Sequence, residues 1–285
     1  MTAIVDTRYG HLQGISHADH WEFRGIPYAR PPVGPLRFAA PQPPLPWQGV
    51  RRADRFSDPC PQILNPLHGI TRTSEDCLTL NLWAPPPAKH KRPVMVWVHG
   101  GGFSSGSGNQ LMYRGKYLAT GGDMIVITVN YRLGVLGFLN LDKNFPSATD
   151  EFPAVSNAGL RDIVAALHWI RENIEAFGGD PDHVTLFGES AGAMCIASLL
   201  ASPYAKGLFK RAILQSGGAD FVLTRDEAER VAEHFLQVTH IETPNLNALR
   251  QLEITSLLKA QQACQQLHYN RGRYQQHVMQ RGMTL

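Results

Sequence analysis

The chain has 285 residues, of which 43% are hydrophobic and 18% charged, and carries a formal net charge of +3 at neutral pH. That length buries a large core, as one α/β domain or two smaller ones, and the composition excludes a disordered or low-complexity chain. Basic residues are scattered, and the tightest group, Lys89, Lys91 and Arg92, is too small for a nucleic-acid or anionic-membrane surface and reads as a solvated loop.

No apolar run approaches the length needed to cross a bilayer. The N-terminus, MTAIVDTRYGHLQG, lacks the basic and apolar regions of a secretory signal. These features predict a soluble, cytoplasmic protein. The four cysteines, Cys60, Cys77, Cys195 and Cys264, have no CxxC spacing and predict no zinc site. Cys60 and Cys77 flank a turn-rich loop that a disulfide would close, whereas a cytoplasmic location favours buried or free thiols.

In chain order, residues 1–30 alternate apolar and polar around Gly10 and Gly14, the pattern of a small β-hairpin. The proline-dense stretch Pro31 to Trp47 excludes regular helix or inner strand, because proline lacks the N–H and fixes φ. Its Leu36, Phe38 and Trp47 predict an ordered loop packed on a core. LTLNLWA (Leu78–Ala84) alternates like a strand. VMVWVH (Val94–His99) and MIVITVNY (Met124–Tyr131) are continuous β-branched runs, as expected of strands buried on both faces.

Leu160, Ile163, Val164, Leu167, Ile170, Ile174 and Phe177 then recur at helical spacing. Gly178 and Gly179 end that helix, and Asp180-Pro181 is expected to turn the chain. Next come a strand at VTLF (Val184–Phe187), a small-residue helix to about Leu200, and a strand at RAILQSG (Arg211–Gly217). Strands alternating with helices predict a mostly parallel sheet covered on both faces. Thr224 and Glu227 form a capping box for a helix carrying Val231, Ala232 and Phe235. One or two further helices follow, and the closing RYQQHVMQRGMTL carries no stop signal.

Two strand ends carry the chemistry. Gly188-Glu189-Ser190-Ala191-Gly192 is a Gly-x-Ser-x-Gly pattern that about one random chain in ten of this length would contain at average abundances. Its place between a predicted strand and a predicted helix gives it weight, because a nucleophile elbow needs that context. Flanking glycines relieve the clashes of a sharp turn, and the helix N-terminus favours nearby negative charge. The second element is HGGGF, His99 to Phe103. Its successive glycines let backbone N–H groups approach a developing oxyanion, where each donor contributes roughly 2.7–4 kcal/mol.

With FRGIPYARPPVGPLRF, SEDCLTLNLW, VHGGGF, VNYRLGVLGFL, NAGLRDIVAALHWIRENIEAFGGDP and VTLFGESAGA in this order, the chain resembles the type-B carboxylesterases. That family of α/β-hydrolases includes cholinesterases and bacterial para-nitrobenzyl esterases. The resemblance implies that residues 1–285 are the N-terminal part of one α/β-hydrolase domain, with a 1–30 hairpin region and a 224–285 helical segment. It implies Ser190 as nucleophile, with Gly101, Gly102 and Ala191 as oxyanion donors and Glu189 as a structural neighbour.

Chain order in these hydrolases is serine, acid, histidine, and the family's acid and histidine lie in a downstream portion this chain lacks. Of the histidines after Ser190, His234, His240, His268 and His277 each read as a surface residue. His99 is not the family's base, and His168 reads as packed or solvated within its helix.

The sheet is therefore expected to stop after about its sixth core strand, leaving RAILQSG as an unpaired edge open to self-association. The implied substrate is a small-molecule carboxylic ester, and the sequence calls for no metal, nucleotide or other cofactor. Two other readings stand beside it: a cholinesterase-like binding or adhesion module, for which an intact serine turn and glycine loop have no use, and a serine peptidase or thioesterase on the same fold.

Overall fold

Strand and helix positions follow the apolar periodicity closely where the runs are long. The computed structural model describes residues 2–145, 151–241, 245–269 and 283–284. The strands are β1 (Thr2–Thr7), β2 (Gly10–Ser16), β3 (Trp21–Pro27), β4 (Val50–Arg52), β5 (Thr79–Ala84), β6 (Arg92–Val98), β7 (Ile125–Val129), β8 (Gly179–Glu189), β9 (Arg211–Gln215), β10 (Val222–Leu223) and β11 (Met283–Thr284). The helices are α1 (Lys116–Gly122), α2 (Gly134–Phe138), α3 (Ala158–Asn173), α4 (Ala191–Ala201), α5 (Arg225–Val238), α6 (Leu246–Gln251) and α7 (Ile254–Tyr269).

The main sheet runs β1-β2-β3-β5-β7-β6-β8-β9, with β4 beside β2. It is mixed rather than mostly parallel. From β1 to β7 every neighbouring pair on this path is antiparallel, while β7, β6, β8 and β9 run parallel. The expected N-terminal hairpin is thus three antiparallel strands, β1 to β3, built onto the main sheet.

Both faces are covered. In β5 and β7, Leu80, Leu82, Ile125, Ile127 and Val129 pack into the main core. Their neighbours Trp83 and Val126 pack with Ala119 of α1 in a second cluster. Successive residues of a strand point to opposite faces, so α1 covers one face and the main core lies on the other. All six residues of β5 are buried, so it has no solvent face, contrary to the alternation of its sequence.

α3 buries Ile163, Ala166, Leu167 and Ile170, then tightens into a 3-10 turn at Ile174–Phe177. Gly178 ends it in the left-handed conformation, φ 83. β8 begins at Gly179, so Asp180-Pro181 lies within the strand rather than in a separate turn. Leu36 and Phe38 of the proline-rich loop are buried, and the Trp47 indole N–H donates to the His11 carbonyl at 2.9 Å. The Thr224/Glu227 capping box opens α5 as expected.

Cys60 and Cys77 are buried free thiols. Hydrogen bonding between them, together with burial, pushes the Cys77 thiol well up, which keeps it protonated and unreactive.

A buried ion pair locks α3 to the exit of β7. Arg132 donates to Asp162 through Nε at 2.8 Å and Nη2 at 2.6 Å, and its backbone N–H donates to the same carboxylate at 3.0 Å. Its Nη1 donates to the Ala39 carbonyl at 2.8 Å. Both side chains are almost wholly excluded from solvent. Breaking such a pair from one side leaves an uncompensated buried charge. Asp162→Ala is therefore expected to lower stability by about 3–5 kcal/mol, read as a fall in the urea midpoint. Exposed Asp182→Ala, beside Arg171 at 3.5 Å, is expected to change it by less than about 1 kcal/mol.

Candidate active site

Adjacent parallel strands β6 and β8 end at the same level, with Val98 paired to Gly188. The chain leaves β6 as His99-Gly100-Gly101-Gly102 and leaves β8 as the Ser190 turn into α4. Glycine is required where the two exits meet. A Cβ on Gly192 would lie 2.1 Å from the Val98 carbonyl oxygen, and one on Gly188 would lie 2.7 Å from it. A Cβ on Gly100 would lie 2.8 Å from the Glu189 carbonyl oxygen and 3.2 Å from Ser190 Cβ. The glycine loop and the serine turn are therefore in direct contact.

Ser190 has φ 52 and ψ −123, a conformation that non-glycine residues rarely adopt and that is held only when the surroundings impose it. Here its N–H donates to the Gln215 carbonyl at 2.8 Å, and its own carbonyl accepts from Met194 N–H at 3.0 Å. Ser190 is half-buried and caps the N-terminus of α4, the end of a helix that favours negative charge.

In the facing loop Gly101 has φ 114 and Gly102 φ 58. The Gly101 carbonyl accepts from the N–H groups of Ser104 and Ser105, at 3.2 and 3.0 Å, and from the Ser105 hydroxyl at 2.9 Å. This curls the loop tightly. Among the described residues, no backbone carbonyl accepts from the N–H of Gly101, Gly102 or Ala191. Phe103, at φ 59, packs inward edge-on against Phe138 with ring centroids 5.1 Å apart.

His99 is built into the floor of the site. It is buried, its ring lies against Tyr131 at 4.5 Å, and its Nδ1–H donates to the Gly100 carbonyl at 2.8 Å. Burial drives its pKa down to about 4, so it is neutral at physiological pH. The Tyr131 hydroxyl donates to the His99 carbonyl at 2.7 Å. The glycine loop is thus anchored from beneath by a neutral imidazole that holds the Gly100 carbonyl through Nδ1.

The remaining histidines lie elsewhere. His168 is exposed on α3 and lines a cavity of about 600 Å³ with Leu160, Val164, Ala197 and Tyr204; neither Ser190 nor the glycine loop lines that cavity. His240 is exposed at the end of α5 with φ 57. His234 is not the surface residue its helix pattern implies: its Nε2 is buried without a hydrogen-bond partner among the described residues. The His268 side chain and all of His277 lie outside the described residues. Among the described residues, no histidine nitrogen hydrogen-bonds the Ser190 hydroxyl.

Comparison with known proteins gives this sheet and its two strand ends a family. The family model described as "Carboxylesterase family" matches residues 1–280. The chain belongs to the carboxylesterase family. It is 47% identical over 261 residues to a para-nitrobenzyl esterase of Bacillus subtilis (strain 168), covering 90% of this chain and 52% of that protein. It is 47% identical over 230 residues to the acetylcholinesterase of Gallus gallus, covering 75% of this chain and 29% of that one. A solved structure of a thermophilic pNB esterase superposes with a TM-score of 0.91 at 44% identity, over 100% of this chain and 58% of that chain. The fold is the α/β-hydrolase fold of these carboxylesterases, and the chain spans about half the length of the curated relatives it matches.

The packing of the two strand ends yields a test. Gly192→Ala has no room and is expected to cost roughly 3 kcal/mol or more, the severe end of overpacking. Gly102→Ala meets nothing within 4 Å and pays only for its positive φ, about 1 kcal/mol. Denaturation midpoints of the two variants should separate in that order.

Proposed function

We propose that this chain supplies the nucleophile and the oxyanion donors of a serine carboxylesterase acting on small-molecule carboxylic esters. The observation that carries this is the enforced φ 52 of Ser190 between β8 and α4, beside a curled glycine loop in which the Gly101 and Gly102 N–H groups donate to no carbonyl among the described residues. In this reading Ser190 Oγ attacks the ester carbonyl. The oxyanion forms against the N–H groups of Gly101, Gly102 and Ala191. Collapse of the tetrahedral intermediate expels the alcohol and leaves an acyl-serine, which water converts to the carboxylic acid and free enzyme. Glu189 acts through backbone packing rather than as the acid.

A serine hydroxyl is a weak nucleophile at neutral pH without a base. Loss of the histidine in a comparable hydrolase costs about 10⁶ in turnover, with roughly 10³–10⁴ over water surviving through binding and oxyanion contacts. The 285 residues therefore act as a weak esterase or none, and full turnover needs an acid and a histidine brought to Ser190 from outside the described residues. The relatives include a phenmedipham hydrolase and a fumonisin B1 esterase, so the reaction class is broad across the family. Four free, buried cysteines support a cytoplasmic setting, where thiols stay reduced. β9 offers an edge for self-association, because Ile213 and Leu214 are 45% and 38% exposed.

A fluorophosphonate probe tests the nucleophile: it should label Ser190 and fail on Ser190→Ala. Hydrolysis of a short para-nitrophenyl ester by the 285-residue chain should fall about 10⁶-fold below that of a complete esterase. It should not change in His234→Ala or His277→Ala. A full rate that either substitution abolished would place the base within this chain. Ile213→Lys should shift sedimentation towards the monomer by charging the open edge.

A further inference from the structure

At the opposite end of the sheet lies a second cluster of polar side chains. β5 runs antiparallel to β7, so the paired residues Trp21 and Ala84 sit at the end of the strands away from Val98, Val129 and Glu189. The β2–β3 turn there reads His17-Ala18-Asp19-His20-Trp21-Glu22. It is closed by a hydrogen bond from His17 N–H to the His20 carbonyl at 2.8 Å. We propose that His17, His20 and Glu22 form a binding site for a late first-row divalent metal ion, Zn²⁺ foremost.

The donor atoms of the three side chains lie within 4.8 Å of one another. Donors around a tetrahedral zinc at 2.0–2.1 Å lie roughly 3.3 Å apart. His17 Nε2 and Glu22 Oε2 already stand at 3.4 Å. The imidazoles of His17 and His20 stack with centroids 4.2 Å apart and planes only 4° from parallel. His17 is exposed while His20 and Glu22 are buried, so rotation of the outer ring completes the site without disturbing the core.

The surroundings are those of an oriented ligand set. His20 Nδ1 contacts Asp19 Oδ1 at 2.7 Å, an outer carboxylate that fixes the ring and turns Nε2 to the ion. That hydrogen bond holds the Asp19 carboxyl below its ordinary range, and Lys116 Nζ lies 3.4 Å from its other oxygen. Burial alone would raise Glu22, but Arg24, the Trp83 indole N–H and His17 hold it down, so it is ionised at neutral pH. Arg24 donates to Oε1 and Oε2 at 2.7 and 2.8 Å, and Trp83 Nε1 donates to Oε1 at 2.9 Å.

The fourth hydrogen bond to the carboxylate is the one from His17. The ion replaces that proton: His17 carries its hydrogen on Nδ1 instead, and Nε2 and Oε2 share the metal. Glu22 and Asp19 bring two carboxylates to the site, paired with Arg24 and Lys116. Two imidazoles and a carboxylate suit zinc, nickel or copper better than calcium or magnesium, which take all-oxygen sites.

Titration of the metal-stripped 285-residue chain with Zn²⁺ by calorimetry, and with Co²⁺ by visible absorption, decides the matter. One saturable site is expected, with an intensified Co²⁺ spectrum of low coordination number. His17→Ala, whose side chain is exposed and whose fold circular dichroism verifies, should lose that site. Asp19→Asn should weaken it about 10–100-fold. Labelling of Ser190 by the fluorophosphonate should be the same with and without metal, because the two sites lie at opposite ends of the sheet. Absence of Zn²⁺ binding, or the same stoichiometry and affinity in His17→Ala, overturns the proposal.

Discussion

The close approach of one carbonyl oxygen to two glycines governs the structure around the serine. Val98 O fills the space where side chains at 188 and 192 would stand, so α4 rises directly from the end of β8 with its first turn against β6. The small residue that follows, Ala193, belongs to the same requirement: α4 buries Ala191, Gly192, Ala193, Cys195, Ile196, Ala197 and Leu199. A helix set so close to the sheet forces the chain to reverse in a single residue. Ser190 carries that reversal, and its strained φ is a product of packing rather than of local preference.

The glycine loop is held by a polar network that the apolar core cannot provide. Asn130, just beyond β7, accepts from the Ser107 hydroxyl at 3.0 Å and from Gly108 N–H at 2.8 Å. The Tyr28 hydroxyl donates to the Asn130 carbonyl at 2.6 Å, and that of Tyr131 to the His99 carbonyl. Arg132 follows directly, paired to Asp162. Three consecutive residues, Asn130, Tyr131 and Arg132, thus tie the loop after β6, the N-terminal region and α3 to one strand exit. Buried networks of this kind fix geometry when every member is satisfied, and this one orients the glycine loop that packs against the Ser190 turn.

Much of this was legible in the sequence, for a definable reason. Val94–His99 and Met124–Tyr131 became strands because uninterrupted β-branched runs have few other uses, and α3 followed its spacing down to the glycine that stops it. The serine turn and the glycine loop were readable because steric need writes glycine at fixed positions. Features set by tertiary neighbours were not. The polar positions of β5 looked exposed, yet Asn81 is buried, donating to Asn109 at 2.9 Å and Thr128 at 3.0 Å. Asp180-Pro181 looked like a turn but begins a strand, where Asp180 accepts from Asp182 N–H at 2.9 Å. The antiparallel half of the sheet has no signature in an alternation of strands and helices. The spacing of His17, His20 and Glu22 was present in the sequence, but only the hairpin register brings the side chains together.

The open side of the sheet bears on the strained serine. Among the described residues β9 is paired on one side only, with β8, and its Gln215 carbonyl is what holds the Ser190 N–H. Just beyond it, Gly217 crosses so close to Ser190 that a Cβ there would lie 2.5 Å from the serine carbonyl oxygen. An edge strand frays more readily than an inner one because its opening breaks one ladder instead of two. Each opening of β9 removes one of the contacts that hold Ser190 at positive φ, leaving the packing of α4 against β6 to hold it alone. Cover over Ile213 and Leu214 would therefore also steady the Ser190 turn, through the single hydrogen bond from Ser190 N–H to the Gln215 carbonyl.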